Sequence, residues 1–252
     1  MSADLALALD LAGAADAIAL ARFRAHDLVV ETKPDLTPVT EADHAVEEAI
    51  RTQLATARPD DVVLGEELGE HTPLGRAGQG RRRWIVDPID GTRNYSRGIP
   101  VWATVIALEE DGALRLGVVS APALRRRWWA ERGAGAFADG EPVRVSGVSR
   151  IEDAVLCFPL EEGLSELADR AWHPRMFGDF WAHMLVVEGA VDGAIDTLGV
   201  SVWDVAAVQV IVEEAGGRFT DRAGVPRADG GSAVSSNGHL HDALLEALHE
   251  RG

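Results

Sequence analysis

The chain has 252 residues, a hydrophobic fraction of 46% and a formal net charge of −17, which together indicate a globular protein with one large domain or two. Because nucleic-acid affinity depends largely on Lys and Arg side chains that neutralise phosphates, this charge argues against a nucleic-acid-binding protein. The sequence shows no apolar run of about 18 residues and no signal-peptide pattern, so we expect a cytoplasmic protein that does not bind membranes.

The first half of the chain mixes helical and strand-like patterns. Apolar residues three and four positions apart predict a helix over residues 3–25. Thr40 is a candidate N-cap for a second helix, and Asp43 completes a capping-box arrangement three residues later. Short apolar runs between Gly, Pro and Asp turns predict strands at 62–66, 83–87, 101–108, 114–120, 127–131 and 154–158. The polar, glycine-rich segment Gly69 to Gly80 interrupts them, and we expect a mobile loop that can act as a lid.

The second half of the chain begins near residue 150 and contains longer helical patterns. These patterns are found at 179–191, 202–215 and 239–249. We expect the histidines of the last segment, His239, His241 and His249, to lie at the surface. The element order indicates a mixed α and β architecture of stacked layers, with halves 1–150 and 151–252 in one continuous unit.

Two carboxylates lie three residues apart in a turn that follows an apolar strand. The segment Trp84 to Tyr95 reads WIVDPIDGTRNY, and Asp87 and Asp90 stand in its Pro- and Gly-shaped turn. Such a turn suits a hard cation, because Mg²⁺, Mn²⁺ and Ca²⁺ prefer oxygen ligands. The backbone N–H groups of Gly91 and Thr92, at a candidate helix start, suit a phosphate. Metal ions together with phosphate indicate phosphoryl chemistry.

Further carboxylates occur at two distant positions. Glu66 and Glu67 follow a strand-like run, and Asp204 opens an apolar helical pattern. Carboxylates that come together repel one another and take up protons unless a cation neutralises them. Oxygen-rich clusters of this kind usually hold a divalent metal ion.

Together, these motifs resemble the inositol monophosphatase family of Mg²⁺-dependent, Li⁺-sensitive phosphatases. The similar segments follow the family's order and are Lys33 to Asp43, Gly65 to Glu67, Asp87 to Tyr95, Trp203 to Gly217 and Ser236 to Gly238. The resemblance implies an α+β fold of alternating α-β-α-β-α layers, of the inositol monophosphatase and fructose-1,6-bisphosphatase type. It also implies a homodimer that hydrolyses a small phosphate monoester.

The resemblance implies a set of metal ligands, residue by residue. A first Mg²⁺ would be held by Glu66, Asp87 and the backbone carbonyl of Ile89. A second would be held by Asp87, Asp90 and Asp204, with Asp87 bridging the two ions. Mn²⁺ can substitute for Mg²⁺ in such a site.

The resemblance also implies how water and phosphate are handled. Thr92, with Asp43 or Glu67, would orient and deprotonate a metal-activated water, and Glu67 can also hold a weaker third ion. The amides of Gly91 and Thr92 would cradle the phosphate beside Asp90. For Asp43, the capping box is the alternative role.

Lys33 is the only lysine of the chain. Its place in the N-terminal motif indicates a role near phosphate or near Asp43, and a solvated loop lysine is the alternative.

Substrate choice is expected to depend on the segment Arg175 to Trp181, which resembles the histidinol-phosphatase branch of the family. In this branch an Asp and aromatic residues follow a Gly, and Arg175 is a further substrate-binding candidate. Asp179 would complement the ammonium group of histidinol phosphate, and the alternative is that it caps the helix it opens. The branch usually has an acidic residue where this chain has Thr197, so either Asp196 takes over that contact or the substrate differs.

Other functions remain open from the sequence. An inositol 1-phosphatase, or a phosphatase for another small monoester, is the nearest alternative. A nucleotidase acting on 3′-phosphates of adenosine bisphosphates would need basic contacts for the second phosphate. A non-catalytic partner protein on the same fold is an alternative of another class, and Mg²⁺-dependent phosphate release would distinguish it from an enzyme.

Overall fold

The computed structural model describes residues 1–72, 82–158, 164–197 and 199–249. Its first layer consists of two packed helices, α1 (Ala3–Arg22) and α2 (Glu41–Ala57). A short antiparallel hairpin, β1 (Val30–Thr32) and β2 (Pro38–Thr40), connects them. α2 begins at the capping box that the sequence predicts, because Asp43 accepts a hydrogen bond from the backbone N–H of Thr40 at 2.9 Å.

The second layer is an eight-stranded sheet, ordered β10-β9-β8-β7-β6-β5-β3-β4. Its strands are β3 (Val62–Gly65), β4 (Gly69–His71), β5 (Arg82–Asp90), β6 (Ala103–Glu110), β7 (Ala113–Ala121), β8 (Arg126–Glu131), β9 (Ala136–Ala138) and β10 (Glu141–Val143). Only β3 and β5 run parallel; the other neighbouring pairs are antiparallel. One apolar core joins this sheet to α1 and α2 on one face.

A layer of two helices covers the other face of this sheet. α5 (Asp179–Val187) and α6 (Val202–Glu214) pack together, and α6 also contacts β5, β6, β7 and β8. α6 is apolar nearly all round, which is typical of a helix enclosed on several sides. The large core between the sheet and these helices includes residues from before and after position 150, and the predicted division at that point stays a prediction.

The last two layers are a five-stranded sheet and a helix layer. The sheet has the order β12-β11-β13-β15-β14 and consists of β11 (Val155–Cys157), β12 (His173–Arg175), β13 (Gly193–Asp196), β14 (Arg218–Thr220) and β15 (Ala233–Ser236). Small apolar cores join it to α5 on one face, and to α4 (Ser165–Arg170) and α7 (His241–His249) on the other. A short helix, α3 (Thr92–Ser96), follows β5.

The five alternating layers confirm the predicted fold class, and the predicted helices and strands are present with shifts of a few residues at their ends. Two predictions need correction. Gly69 to His71 form β4 rather than a loop, whereas residues 73–80 of the predicted lid lie outside the described residues. His241 is fully buried, because its ring nitrogens lie 2.9 Å from the hydroxyls of Thr220 and Ser236.

Of the other two histidines in that segment, the structure describes the side chain of only one. His239 is exposed, as predicted, and the side chain of His249 lies outside the described residues. Among the described helices, none combines the length and apolar composition that crossing a bilayer requires.

Candidate active site

A bulge near the end of β5 brings Asp87 and Asp90 together. Side chains alternate between the two faces of a regular strand, so residues three positions apart would point to opposite faces. Here Asp87 pairs with Val105 and Asp90 pairs with Ala103, which leaves one extra residue on β5 between the two pairs. The bulge re-aims the second carboxylate. Asp87 also accepts the backbone N–H of Ile89 at 3.0 Å, which closes the turn.

Glu66 reaches the same site because β3 lies beside β5. The two strands are parallel up to Gly65 and Val86, and the backbone N–H of Glu66 donates to the carbonyl of Val86 at 3.2 Å. Glu66 and Asp87 therefore leave neighbouring strands at the same edge of the sheet. Both residues line a cavity of about 390 Å³.

Asp204 enters the site from the first turn of α6. One of its oxygens, Oδ2, accepts the backbone N–H of Ser201 at 2.7 Å, which completes a capping box and fixes the side chain. One carboxylate oxygen from each of Asp87, Asp90 and Asp204 lies within 4.8 Å of the others. Three carboxylates at this separation form a candidate site for a divalent cation.

The electrostatics of this cluster favour a bound cation. Burial, followed by repulsion from neighbouring carboxylates, raises the pKa values of Asp87 and Asp90 well above their ordinary value of 3.8. Burial also raises the pKa of Asp204 to about 7, with Glu66 among the carboxylates that add to the shift. An all-oxygen donor set that takes up protons when no cation is bound fits Mg²⁺ or Mn²⁺.

Asp43 and Thr92 form a hydrogen-bonded pair beside the cluster. The Thr92 hydroxyl lies 3.1 Å from Oδ1 of Asp43 and 2.9 Å from the carbonyl oxygen of Ile89. The other oxygen of Asp43, Oδ2, caps α2 at Thr40. Asp43 therefore fills the capping role and still faces the site with its second oxygen. Its burial raises the pKa of the carboxyl group.

Lys33 pairs with the two glutamates that follow β3. Its ammonium Nζ lies 2.7 Å from Oε1 of Glu66 and 2.7 Å from Oε1 of Glu67. Although partial burial opposes the charge, the hydrogen bonds that Lys33 donates to the two glutamates raise its pKa above the ordinary value. The predicted role of Lys33 near Asp43 or near phosphate stays a prediction.

The turn after Asp90 depends on a glycine. Gly91 has a φ of +85°, in the left-handed region that L-residues rarely adopt. A Cβ at this position would also lie 3.0 Å from the carbonyl oxygen of Val101. Gly91 and Thr92 both line the 390 Å³ cavity, where the sequence predicts that their amides cradle a phosphate.

Asp179 stands at the mouth of this cavity in an unusual backbone conformation. It is exposed, has a φ of +53°, and places Oδ2 3.4 Å from the side-chain amide nitrogen of Asn94. Partial withdrawal from water raises the pKa of Asp179, and the charge of Arg93 opposes that shift. Gly178 occupies the N-cap position of α5, and the first-turn N–H of Phe180 is satisfied by Asp90 rather than by Asp179.

The remaining predicted substrate residues differ in whether they line a cavity at the site. Asp196 lines a smaller cavity of about 120 Å³, next to Asp179 and His183, whereas Thr197 is buried and does not line it. Arg175 lies on the edge strand β12 and lines neither this cavity nor the larger one. Asp196 is therefore better placed than Thr197 to contact a ligand, and a substrate role for Arg175 stays a prediction.

Comparisons with known proteins agree with this geometry. The sequence profile of the inositol monophosphatase family matches residues 1–252. The chain belongs to this family. It is 52% identical to histidinol-phosphatase of Mycobacterium tuberculosis and 49% identical to histidinol-phosphatase of Streptomyces coelicolor, with at least 97% of each chain covered. A crystal structure described as the extragenic suppressor protein suhB of Bartonella henselae superposes with a TM-score of 0.91 at 31% identity, covering 100% of both chains.

Sequence reasoning missed two residues that contact segments of the candidate active site. In the sequence Asn94 is only one residue of the Asp87 to Tyr95 motif, yet its side-chain amide donates to the Val101 carbonyl at 2.9 Å and faces Asp179. Glu47 is fully buried below the turn that carries Glu66. A signal for Glu47 was present, because it follows Asp43 by four residues and such residues share a helix face.

Proposed function

We propose that this chain is a Mg²⁺-dependent phosphomonoesterase whose substrate is histidinol phosphate. The observation that carries the proposal is the convergence of Asp87, Asp90 and Asp204 in one cavity that Thr92, the hydrogen-bond partner of Asp43, also lines. The similarity of the chain to two histidinol-phosphatases, at about 50% sequence identity, supports this substrate. The reaction is hydrolysis of L-histidinol phosphate to L-histidinol and phosphate, a step of histidine biosynthesis.

The carboxylates and one carbonyl supply the metal ligands. Glu66, Asp87 and the carbonyl of Ile89 would hold one Mg²⁺, and Asp87, Asp90 and Asp204 would hold a second; Mn²⁺ suits the same donors. Glu67 can also hold a weaker third ion. In this structure the ammonium group of Lys33 pairs with Glu67. When bound, the ions supply an acidified water and neutralise charge on the phosphate.

The chain's own groups position the reactants. Asp43, whose pKa is raised by burial and whose carboxylate contacts the Thr92 hydroxyl, would accept the proton. Thr92 would hold the attacking water in line with phosphorus. The amides of Gly91 and Thr92 would bind phosphate oxygens, because both residues line the cavity next to Asp90.

The surroundings of the cavity suit a substrate with a cationic end. Asp179 lines both cavities and Asp196 lines the smaller one, which Asp90 and Asp204 line as well, so further carboxylates lie beside the proposed metal ligands. Histidinol phosphate carries an ammonium and an imidazole, which these carboxylates would complement. An uncharged polyol phosphate would not gain this contribution. The 390 Å³ cavity also has the size of a small-molecule site.

The nucleotidase alternative has less support from the same cavity. Arg93 is the only basic residue among the described residues that line it. A second phosphate would therefore meet mainly carboxylates. We keep the homodimer, inhibition by Li⁺ and a cytoplasmic location as predictions that accompany the proposed function.

A substrate panel tests the proposal. Purified enzyme is assayed for phosphate release from histidinol phosphate, myo-inositol 1-phosphate and adenosine 3′,5′-bisphosphate, with Mg²⁺ and with EDTA. We expect kcat/KM to be highest for histidinol phosphate and activity to disappear with EDTA. A preference for inositol 1-phosphate would replace the substrate but retain the reaction, whereas no Mg²⁺-dependent release from any ester would indicate a non-catalytic protein.

A further inference from the structure

We propose that Glu47, held by Arg51, is a positioning residue that fixes the turn carrying Glu66 and Glu67 and thereby sets the affinity of the site for its metal ion. The inference rests on the proposed function, because it assumes that Glu66 is a metal ligand. Glu47 itself is not expected to contact metal or substrate.

The carboxylate of Glu47 acts as a cap inside this turn. Residues 66–68 connect β3 to β4, and Gly65 pairs with Gly69 across the hairpin. Oε2 of Glu47 accepts the backbone N–H of Glu67 at 2.8 Å, and Oε1 accepts that of Leu68 at 3.2 Å. Glu47 thus satisfies two consecutive N–H groups directly after Glu66. A shift of this carboxylate would release the backbone that orients Glu66.

Arg51 holds the carboxylate in place from one helical turn away. Its Nε donates to Oε1 of Glu47 at 2.8 Å, and its NH2 group lies 2.7 Å from the same oxygen. The guanidinium also donates to the backbone carbonyl of Gly69 and, at 3.4 Å, to that of Val63. It therefore contacts both strands of the hairpin. Because Glu47 is fully buried, removal of Arg51 would leave its carboxylate without an ion-pair partner.

Space for the carboxylate is provided by Gly65. A Cβ at this position would lie 2.1 Å from Oε1 of Glu47, which is shorter than any non-bonded contact. The glycine before Glu66 is thus explained by the close approach of Glu47 rather than by its own backbone angles. The carboxylate of Glu47 can occupy its position only because Gly65 has no side chain.

The charge of Glu47 matters as well as its shape. Its two oxygens receive N–H groups from Glu67, Leu68 and Arg51, and Glu47 has no donor of its own. A glutamine has nearly the same shape, but its NH₂ group would face an N–H donor on one side. Partners that orient a metal ligand typically change metal affinity by about 10–100-fold when they are removed.

One face of α2 therefore supports both parts of the site. Asp43 contacts Thr92 beside the β5 turn, and Glu47, four residues later, contacts the turn after β3. Residues four apart lie on the same side of a helix, about 6 Å apart along its axis. The helix thus fixes the spacing between the two segments that would supply the metal ligands.

The test measures Mg²⁺ binding to Glu47→Gln directly by isothermal titration calorimetry, with the Mg²⁺ dependence of kcat as a second measurement. We expect binding to weaken about tenfold or more, while kcat at saturating Mg²⁺ stays within about threefold of wild type. Wild-type affinity in Glu47→Gln would overturn the inference. So would a loss of kcat at saturating Mg²⁺ with unchanged metal affinity.

Asp61→Asn is the matched control for general destabilisation. Asp61 is a buried carboxylate at the opposite end of β3, where it accepts the indole N–H of Trp84 at 2.9 Å and pairs with Arg82. We expect this variant to lose thermal stability but to keep Mg²⁺ affinity. An equal loss of affinity in both variants would show that Glu47 acts only through stability.

Two further variants keep the test decisive. Glu66→Gln should abolish binding of the Mg²⁺ ion that Glu66 would hold. If it does not, the proposed set of metal ligands is wrong, and this outcome is distinct from a failure of the Glu47 inference. Should Glu47→Gln not fold, Arg51→Lys retains the charge but loses the paired N–H groups that hold Glu47 and the hairpin. Weaker Mg²⁺ binding in Arg51→Lys supports the inference, and wild-type binding overturns it.

Discussion

Asp90 accepts the backbone N–H of Phe180 at 2.7 Å, so the turn that carries two residues of the carboxylate cluster also caps the helix that carries Asp179. This contact spans 90 positions of sequence and joins β5 to α5. The predicted metal ligand and the predicted specificity residue are therefore parts of one rigid arrangement. It also explains why Asp179 need not serve as the cap itself.

Asp90→Asn should leave the protein folded and nearly inactive. The amide oxygen of asparagine can still accept the N–H of Phe180, but a neutral amide is a poor ligand for Mg²⁺. We expect kcat below about a tenth of wild type, since metal ions contribute several kcal/mol to such reactions. Asp242→Asn, at the exposed start of α7, is the control and should keep full activity. Circular dichroism checks that both variants fold.

Thr92→Ala should lower kcat without weakening metal binding. The change removes the hydroxyl that contacts Asp43 at 3.1 Å and leaves every carboxylate in place. We expect a loss of about 10²-fold or more in kcat, the usual contribution of a group that handles the proton. Thr92→Ser retains the hydroxyl and should recover most of the rate. Unchanged kcat in Thr92→Ala would refute the assignment.

Asp179→Asn should discriminate between substrates. Loss of one charge-assisted contact costs about 1.5–3 kcal/mol, so kcat/KM for histidinol phosphate should fall roughly ten- to a hundred-fold. Activity on glycerol 2-phosphate, which lacks a cationic group, should change little. Equal losses on both substrates would indicate that Asp179 supports structure, and no loss on either would favour an inositol phosphate or general monoester phosphatase.

Stability of the metal-free protein should depend on pH through Asp204. Its pKa is raised from 3.8 to about 7, so folding favours the protonated form. The associated stabilisation is complete below about pH 4 and is lost as pH rises through about 7. In EDTA, Tm should therefore fall between pH 5.5 and 8, and added Mg²⁺ should raise Tm most at the upper end. Differential scanning calorimetry of Asp204→Asn should show a smaller fall in EDTA; an identical fall would contradict this assignment.

The sequence was most informative where one short segment carries several constraints. Asp87, Asp90 and Gly91 share a turn whose composition limits its conformation, and Asp204 opens a helix with an evident apolar pattern. The structure brings these residues together as expected. The β5 bulge between Asp87 and Asp90, in contrast, depends on pairing with β6, and Pro88 alone does not distinguish a bulge from the turn that the sequence predicts.

Other features could not be predicted because their partners are distant. His241 is buried, and the hydrogen-bond partners of its ring are the hydroxyls of Thr220 and Ser236, on β14 and β15. The five-stranded sheet is built from strands of three or four residues, too short to show a clear alternation. The sequence likewise offers no basis for comparing Asp196 with Thr197, because their difference lies in which of them lines the smaller cavity.

The position of α6 between the two sheets has a consequence for how the site forms during protein synthesis. The acidic turn of β5 leaves the ribosome more than a hundred residues before Asp204 does, a delay on the order of ten seconds at about 5–20 residues per second. During this interval the nascent chain presents Asp87 and Asp90 without the helix that encloses them. The proposed metal site therefore stays incomplete until α6 is made and packs against β5.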